Sequence, residues 1–499
     1  MNSLIDSIET QKIIDLFIYN PKSPLIFSSG FFLFLFTVFV LLYFCLKNTR
    51  SIRILYVTLF SLFFYYKSSG VYFLLLILCA TSDFFIGHAI HKSQAQKLKK
   101  LWVALSLMIN LGMLAYFKYI NFLAEIFSGI FRVPFDIERI FLPVGISFFT
   151  FQSISYVIDI YRKEIKPLNR WIDYVFYISF FPQLVAGPIV RAKDFIPQIR
   201  KDVFVSNEMF GRGVFLIVAG LFKKAVISDY ISLNFVDRVF DQPVLYSGLE
   251  NLIAVYGYAL QIYCDFSGYS DMAIGIALLL GFHFNENFDS PYKSATITEF
   301  WRRWHISLSS WLKDYLYISL GGNRKGKIRT YFNLLTTMLL GGLWHGASWQ
   351  FLFWGALHGS SLAIHKAVME RFPSFKPLGR DMKPWRRVLG ILLTFHLVCF
   401  GWIFFRAGSF ETGWEVLNRI FTAFNPQLLP QFVEGYKAVC FFILLGYFLH
   451  FTPRKWEVKA WEISTQTPLF IKAIVCTIMI IVVMQLKSSD VQPFIYFQF

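Results

Sequence analysis

Apolar residues in this chain of 499 residues gather into long runs that are separated by short polar stretches. A helix needs about 20 mostly apolar residues to cross a bilayer core of about 30 Å. Membrane barrels instead show alternating segments of about ten residues, and the sequence lacks that alternation. We therefore predict an all-α membrane protein with about 11–13 membrane helices, some short, broken or re-entrant, in the runs Phe31–Leu46, Ile54–Tyr66, Val71–Ile90, Leu101–Phe117, Leu142–Ile160, Tyr174–Ile189, Val214–Ile231, Leu252–Phe282, Phe332–Trp344, Trp349–Val368, Val388–Phe405, Ala438–Phe451 and Leu469–Leu486.

The composition agrees with a chain embedded in lipid, since 56% of the residues are hydrophobic and only 16% are charged. Soluble domains use about 25% charged residues. A net charge of +17 would suit nucleic-acid binding, but basic residues of membrane proteins collect in cytoplasmic loops. We therefore expect contact with membrane lipid, no contact with nucleic acid, an N-terminus outside, and cytoplasmic loops at Lys47, Arg50 and Arg53, at Lys92, Lys97, Lys99 and Lys100, and at Arg162, Lys163, Lys166 and Arg170.

No polar stretch is long enough to form a separate soluble domain, so the sequence predicts one membrane domain over residues 1–499. Residues 1–29 lack the basic region and cleavage site typical of a cleaved leader, so we expect them to form an uncleaved interfacial segment. Pro and Gly interrupt several apolar runs, as in Phe181–Pro188, and broken helices are tolerated only inside protein or along a cavity. Six single cysteines without a C-x-x-C pair indicate core residues rather than a metal site.

The longest polar stretch runs from Asn285 to Arg329, inside the region 285–346. Its apolar residues recur at helical spacing, while charged residues take the other faces. This spacing predicts one amphipathic helix at the membrane interface, with a stripe formed by Trp301, Trp304, His305, Leu308, Leu312 and Tyr315.

Two histidines occupy positions where an ionisable side chain is costly. His305 lies on the apolar stripe, and His345 ends an apolar run. Gly341 and Gly342 precede His345 by one helical turn, so that flank of the imidazole is open to a substrate. The alternatives are close helix packing at the glycines and an ordinary interfacial role for His305. His358 is a weaker candidate for the position of His345.

Histidine can take a proton from a hydroxyl near neutral pH, which acyl transfer to an alcohol requires. A second polar group would orient it or steady the oxygen of a thioester. The sequence contains no G-x-S-x-G elbow, H-E-x-x-H pair or P-loop, so serine hydrolase, zinc protease and nucleotide-driven functions have no support.

Further polar residues lie inside the apolar run Leu252–Phe282. Carboxylates and hydroxyls at this density must face a cavity or one another. A spacing of four pairs Asp265 with Tyr269 and Ser267 with Asp271, so hydrogen bonding within the helix is the alternative.

Arg302 and Arg303 are the basic residues nearest to His305 in sequence. They can meet the phosphates of a nucleotide-bearing donor. Anchoring to anionic lipid is the alternative role for such residues.

At these residues the sequence resembles the membrane-bound O-acyltransferase family, in particular its bacterial alginate O-acetyltransferase-like branch. Two motifs carry most of the resemblance, Glu299–His305 and Gly342–Gly346, which are similar to the family's two histidine motifs. The similarity also extends over the segments Pro24–Phe27, Leu142–Phe148, Gln183–Ile189 and the block from Asp265 to His358.

The resemblance implies that His345 is the catalytic histidine and His305 the second polar residue of the active site. It also implies a funnel open to the cytoplasm, no permanently bound cofactor, and acetyl coenzyme A (acetyl-CoA) as the co-substrate. Proteins of this branch pass acetyl groups outward to an extracytoplasmic acetyltransferase partner that modifies an exported glycan. We therefore expect a multi-pass protein of the bacterial cytoplasmic (inner) membrane, with substrate-binding or channel-lining candidates Arg302, Arg303, Trp304, Trp344, Asp265, Ser267 and Asp271.

Two other function classes remain open, a membrane transporter and a non-catalytic scaffold for a polysaccharide export complex. A membrane transporter would also use broken helices and buried carboxylates, although inverted repeats are not visible. An acyltransferase could use another donor, such as a carrier-protein thioester. The aromatic tail within residues 487–499 suits either an interfacial belt or a docking region for the partner.

Overall fold

The structure, a computed structural model, describes residues 11–12, 14–21, 23–132, 140–372 and 383–486. Within these ranges the regular elements are helices, and no strand occurs. The predicted all-α class is thus confirmed. Of the expected interfacial segment 1–29, residues 11–12 and 14–17 are helical, whereas the tail 487–499 lies outside the described residues.

The helices follow the apolar runs closely, because uninterrupted runs satisfy their backbone groups internally. In the first half of the chain they are Gly30–Cys45, Arg50–Ser69, Phe73–Lys92, Gln96–Leu114, Ile120–Phe131, Ile146–Tyr161, Trp171–Ser179, Phe181–Leu184, Ala192–Ile199, Asn207–Leu221, Asp229–Ile231 and Asp237–Asp241. In the second half they are Gly248–Leu279, Ile297–Arg303, Ile306–Trp311, Lys327–His345, Trp349–Arg371, Pro384–Arg406, Phe410–Thr422, Leu429–Gly435, Lys437–Phe451, Arg454–Gln466 and Leu469–Leu486.

Length and hydropathy mark four helical segments of the described chain as able to cross a membrane. They are Arg50–Lys92, Gln96–Phe131, Pro384–Arg406 and Leu469–Leu486. Pro426–Gly435 and Lys437–Phe451, which meet at an angle of 99°, make a fifth if they count as one broken span. The protein is therefore a multi-pass membrane protein, and the finer count of about 11–13 membrane elements stays a prediction.

The described residues divide into two compact units. The first is drawn from Met1–Val218, Asp271–Asn285 and Ser464–Gln498, and the second from Ala219–Ser270 and Glu286–Ile463. In the first unit the predicted break within residues 181–188 is present, since the short helix Phe181–Leu184 ends there and the next helix begins only at Ala192. Both histidines singled out by the sequence belong to the second unit.

In the second unit, the helices Lys327–His345 and Trp349–Arg371 form a hairpin, named here the histidine hairpin. Its two backbones approach closely at glycines. A Cβ atom at Gly342 would lie 2.2 Å from the carbonyl oxygen of Phe351, and one at Gly355 would lie 2.5 Å from that of Met338. Of the two roles considered for Gly342, the structure shows close helix packing.

We expect Gly342→Ala to destabilise the protein by about 1–3 kcal/mol, because the new methyl group must push the two backbones apart. Gly341→Ala is the matched control. There the new atom meets only the Leu312 side chain, at 3.2 Å, and alanine favours a helix over glycine by about 1 kcal/mol. Thermal unfolding in detergent measures both, and equal melting temperatures for the two variants would contradict the packing argument.

Candidate active site

His305 interrupts the helix on which the sequence analysis placed it. Helix Ile297–Arg303 ends before Trp304, and Ile306–Trp311 begins after His305, whose φ of 44° and ψ of 57° are left-handed. The prediction of one continuous amphipathic helix was therefore wrong. A bulky residue with this backbone conformation is uncommon and is retained where surrounding contacts enforce it, often at functional sites.

The start of the first helix is encoded locally. The Thr296 hydroxyl accepts a hydrogen bond from the backbone N–H of Glu299 at 3.1 Å. The Glu299 carboxylate in turn accepts from the backbone N–H of Ala295 at 2.9 Å. This capping arrangement fixes the helix just before the histidine motif. The apolar stripe is buried rather than spread over an interface, as Trp301, Trp304, Leu308, Leu312 and Tyr315 show.

The His305 ring is fully buried among aromatic side chains. Phe266 meets it edge-on with 4.5 Å between ring centroids, and Phe288 and Trp344 lie at 6.3 and 6.1 Å. Its Nδ1 lies 3.2 Å from the side-chain oxygen of Asn287. His305 is outside the candidate spans, and burial lowers its pKa to about 3, so the imidazole is neutral at physiological pH.

His345 ends the first helix of the histidine hairpin and is only 3% exposed. Three rings pack edge-on against it: Trp344 and Trp354, each at 5.0 Å, and Phe405 at 5.3 Å. Trp344 thus contacts both histidine rings. The structure brings the two predicted site histidines and the two predicted tryptophans into one aromatic cluster, with Trp304 buried beside Phe288.

His358, the weaker candidate, is also buried and packs against Trp354, with 4.6 Å between the ring centroids. It also packs against Trp301 at 5.3 Å. His358 is as deeply buried as His345, so burial alone does not separate the two residues.

Asp265 forms a buried ion pair that the sequence analysis missed. Lys224 Nζ lies 2.5 Å from Asp265 Oδ1 and 2.7 Å from Asp229 Oδ1, and the Lys224 side chain is only 4% exposed. The sequence does contain a clue to this ion pair. Lys223 and Lys224 interrupt an apolar run, and ionisable residues inside such runs need partners.

The other two polar candidates of the long helix Gly248–Leu279 are Ser267 and Asp271, and they differ in burial. Ser267 is buried, and its hydroxyl has no hydrogen-bond partner within the described residues, so the alternative of hydrogen bonding within the helix is not met at Ser267. Asp271 is half-buried and belongs to the first unit, whereas Asp265 and Ser267 belong to the second.

The two arginines of the motif also differ. The Arg303 guanidinium forms ion pairs with Glu299 at 3.0 Å and with Asp289 at 3.1 Å. Arg302 is exposed. Of the two, Arg302 is the arginine that the structure leaves accessible to a charged ligand. In the described part of the chain, no three His, Cys, Asp or Glu side chains form a group that could hold a metal ion.

These features define a multi-pass α-helical membrane protein that keeps two histidines and an ion pair in its interior. Comparison with known proteins specifies the class further. The model of the membrane-bound O-acyltransferase family (MBOAT) matches residues 164–405, which include both histidines. This chain belongs to the membrane-bound O-acyltransferase family, and it is an O-acyltransferase.

Several curated relatives cover most of the chain. A probable alginate O-acetylase AlgI of Pseudomonas putida is 36% identical over 95% of this chain and 100% of its own length. A probable alginate O-acetylase AlgI of Pseudomonas aeruginosa is 42% identical over 80% of this chain and 75% of its own. A peptidoglycan O-acetyltransferase of Helicobacter pylori is 37% identical, with 79% of each chain covered.

Proposed function

We propose that this protein takes acetyl groups from cytoplasmic acetyl-CoA and passes them across the bacterial inner membrane for O-acetylation of an exported polysaccharide. A protein partner outside the membrane receives or directs the acetyl group. The observation that carries this proposal is the aromatic cluster in which one ring, Trp344, contacts both His305 and His345. Relatives named for O-acetylation of alginate and of peptidoglycan support a glycan acceptor.

In the proposed reaction, His345 accepts the proton of the acceptor hydroxyl while that oxygen attacks the thioester carbonyl. The carbon–sulfur bond breaks, and the departing thiolate of coenzyme A takes the proton back from His345. General base catalysis of this kind contributes about 10²–10⁴-fold in rate. Trp344, Trp354 and Phe405 exclude water around the imidazole, so both reactants meet in a dry passage where positioning and electrostatic stabilisation are most effective.

His305 lies on the donor side of this arrangement, and Arg302 is our candidate for the phosphates of acetyl-CoA. Its exposure supports this role, whereas the ion pairs of Arg303 favour a structural one. Phosphates of an anionic lipid could occupy Arg302 as well. Arg302→Gln would raise the KM for acetyl-CoA in detergent without lipid only if the donor binds there.

The test is release of free coenzyme A by purified protein in lipid nanodiscs, supplied with acetyl-CoA and its glycan or partner acceptor. We expect His305→Ala to lower this rate by at least about 100-fold, because a group that orients the reactants is lost. Residual activity is expected, since His345 remains.

Other outcomes would overturn the proposal. Uptake of an intact solute into proteoliposomes without release of coenzyme A would identify a transporter. Turnover with a carrier-protein thioester but not with acetyl-CoA would replace the donor. Wild-type rates in His305→Ala would return that histidine to a structural role.

A further inference from the structure

Asn287 is a buried residue that bonds to the turn carrying His305. Its side-chain oxygen accepts hydrogen bonds from the Ser307 backbone N–H at 3.1 Å and from the Ser307 hydroxyl at 2.8 Å. The same oxygen lies 3.2 Å from His305 Nδ1. The Asn287 backbone carbonyl accepts from the Ile306 N–H at 2.9 Å. Asn287 therefore contacts three consecutive residues, His305 to Ser307, where the second helix of the motif begins.

These contacts settle which way the Asn287 amide points. A backbone N–H can only donate, so the atom that faces the Ser307 N–H must be the amide oxygen. The amide nitrogen then donates to the Ser270 hydroxyl at 3.2 Å. The Asn287 oxygen can only accept, and the Ser307 hydroxyl, 3.4 Å from the same Nδ1, already donates its proton to Asn287 at 2.8 Å. Nδ1 of His305 therefore carries the proton. In a neutral imidazole, the remaining nitrogen, Nε2, then has a free lone pair.

Nε2 of His305 is buried and has no hydrogen-bond partner within the residues that the structure describes. Leaving a buried polar atom unsatisfied costs about 1–3 kcal/mol, so such an atom in a native fold calls for an explanation. The side chains around the ring carry no charge: Phe266, Phe288, Trp344, Asn287 and Ser307. On the same elements, the charged groups Asp265 and Asp289 are paired with Lys224 and Arg303, and His345 follows Trp344.

We propose that Asn287 is a positioning residue that holds His305 in the Nδ1-protonated form, so that Nε2 accepts a hydrogen bond from an O–H or N–H group of a bound substrate. This inference rests on the proposed acyl transfer, and it specifies the role of His305 in that reaction as a hydrogen-bond acceptor. The single N–H of the neutral His305 ring faces Asn287, and its Nε2 can only accept, so steadying the thioester oxygen falls to other groups.

The direct test is ¹⁵N nuclear magnetic resonance of histidine-labelled protein in nanodiscs, with His305→Ala used to assign the signal. The wild type should show His305 with a protonated Nδ1 and a bare Nε2. In Asn287→Asp, the carboxylate keeps the contacts to Ser307 and His305 but adds a negative charge. It should raise the pKa of His305 by about 1–3 units, so that His305 becomes protonated at a higher pH than in the wild type.

Activity provides a second readout. Asn287→Leu should lower the acetyl-transfer rate by about 10- to 100-fold, because the imidazole loses its fixed orientation. Ser270→Ala is the matched control, since it removes the partner of the Asn287 nitrogen but leaves the bond to His305, and we expect it to keep the wild-type tautomer. A rise in KM for acetyl-CoA at constant kcat would place the bonded N–H on the donor. A fall in kcat at constant KM would place the bonded O–H on the acceptor.

A proton on Nε2 of His305 in active wild-type protein, or an unchanged His305 titration in Asn287→Asp, would overturn the inference. If Asn287→Leu does not fold, the tautomer and the Asn287→Asp titration still decide it. Wild-type protein that shows the expected tautomer but releases no coenzyme A would refute the proposed function and leave the hydrogen-bond assignment in place.

Discussion

Replacing His345 by alanine is expected to reduce acetyl transfer by about 10²–10⁴-fold, the range that general base catalysis contributes. The imidazole is buried at the tip of the histidine hairpin among Trp344, Trp354 and Phe405. None of these three neighbours can accept a proton from a hydroxyl, so none of them could replace His345 as the base of the proposed reaction. Release of coenzyme A in nanodiscs, with a thermal melt to show that the variant folds, measures the loss.

His358→Ala is the matched control for this prediction. It removes a second buried imidazole that packs against the same Trp354 ring, so it creates a comparable cavity. We expect this variant to retain most of the activity. Full activity in His345→Ala, or an equal loss in both variants, would remove His345 from the mechanism.

Lys224→Met should destabilise the protein by about 3–5 kcal/mol, the cost of breaking a buried ion pair by removal of one partner. The lysine lies between Asp265 and Asp229, and Asp265 is as deeply buried as Lys224 itself. Without the ammonium group, two carboxylates face each other in a medium of low polarity. Thermal unfolding in detergent should show a large drop in melting temperature.

Two comparisons make this prediction specific. The double variant Lys224→Met, Asp265→Asn removes both members of the closer pair and should recover part of the lost stability. Lys366→Ala removes a partly exposed pair with Glu370, at 3.7 Å, and should cost less than about 1 kcal/mol. A similar loss for Lys224→Met and Lys366→Ala would mean that burial does not strengthen the interior pair.

The helices themselves could be predicted well, because an apolar run marks its own ends. The run Leu469–Leu486 and the helix coincide, and the break after Ser179 appears where Pro182 predicts an interruption. The apolar periodicity gave the wrong prediction at the histidine motif, where it indicated one continuous helix. The apolar spacing continues through Trp304 and His305, but periodicity carries no information on φ, and the left-handed turn depends on bonds to the distant Asn287.

The two central histidines of the candidate site could be predicted from the sequence. The buried residues that are bonded around them could not. His305 and His345 stand out because ionisable residues in apolar surroundings are costly. Lys224 and Asn287 are bonded to residues far from them in the chain, and a single sequence does not reveal which distant residues meet. For the same reason Arg303 seemed as available to a ligand as Arg302, although its ion pairs include Asp289, which precedes it by 14 positions.

The close approach of the two helices at Gly342 has a mechanical consequence for the histidine hairpin. Where backbone touches backbone, there are no side-chain rotamers to exchange, so the contact has only one arrangement. The end of the helix that carries His345 is thus held rigidly against the second helix of the hairpin. If the proposed passage for acyl groups widens and narrows, its hinges should lie outside this hairpin, and the hairpin should move as one rigid body.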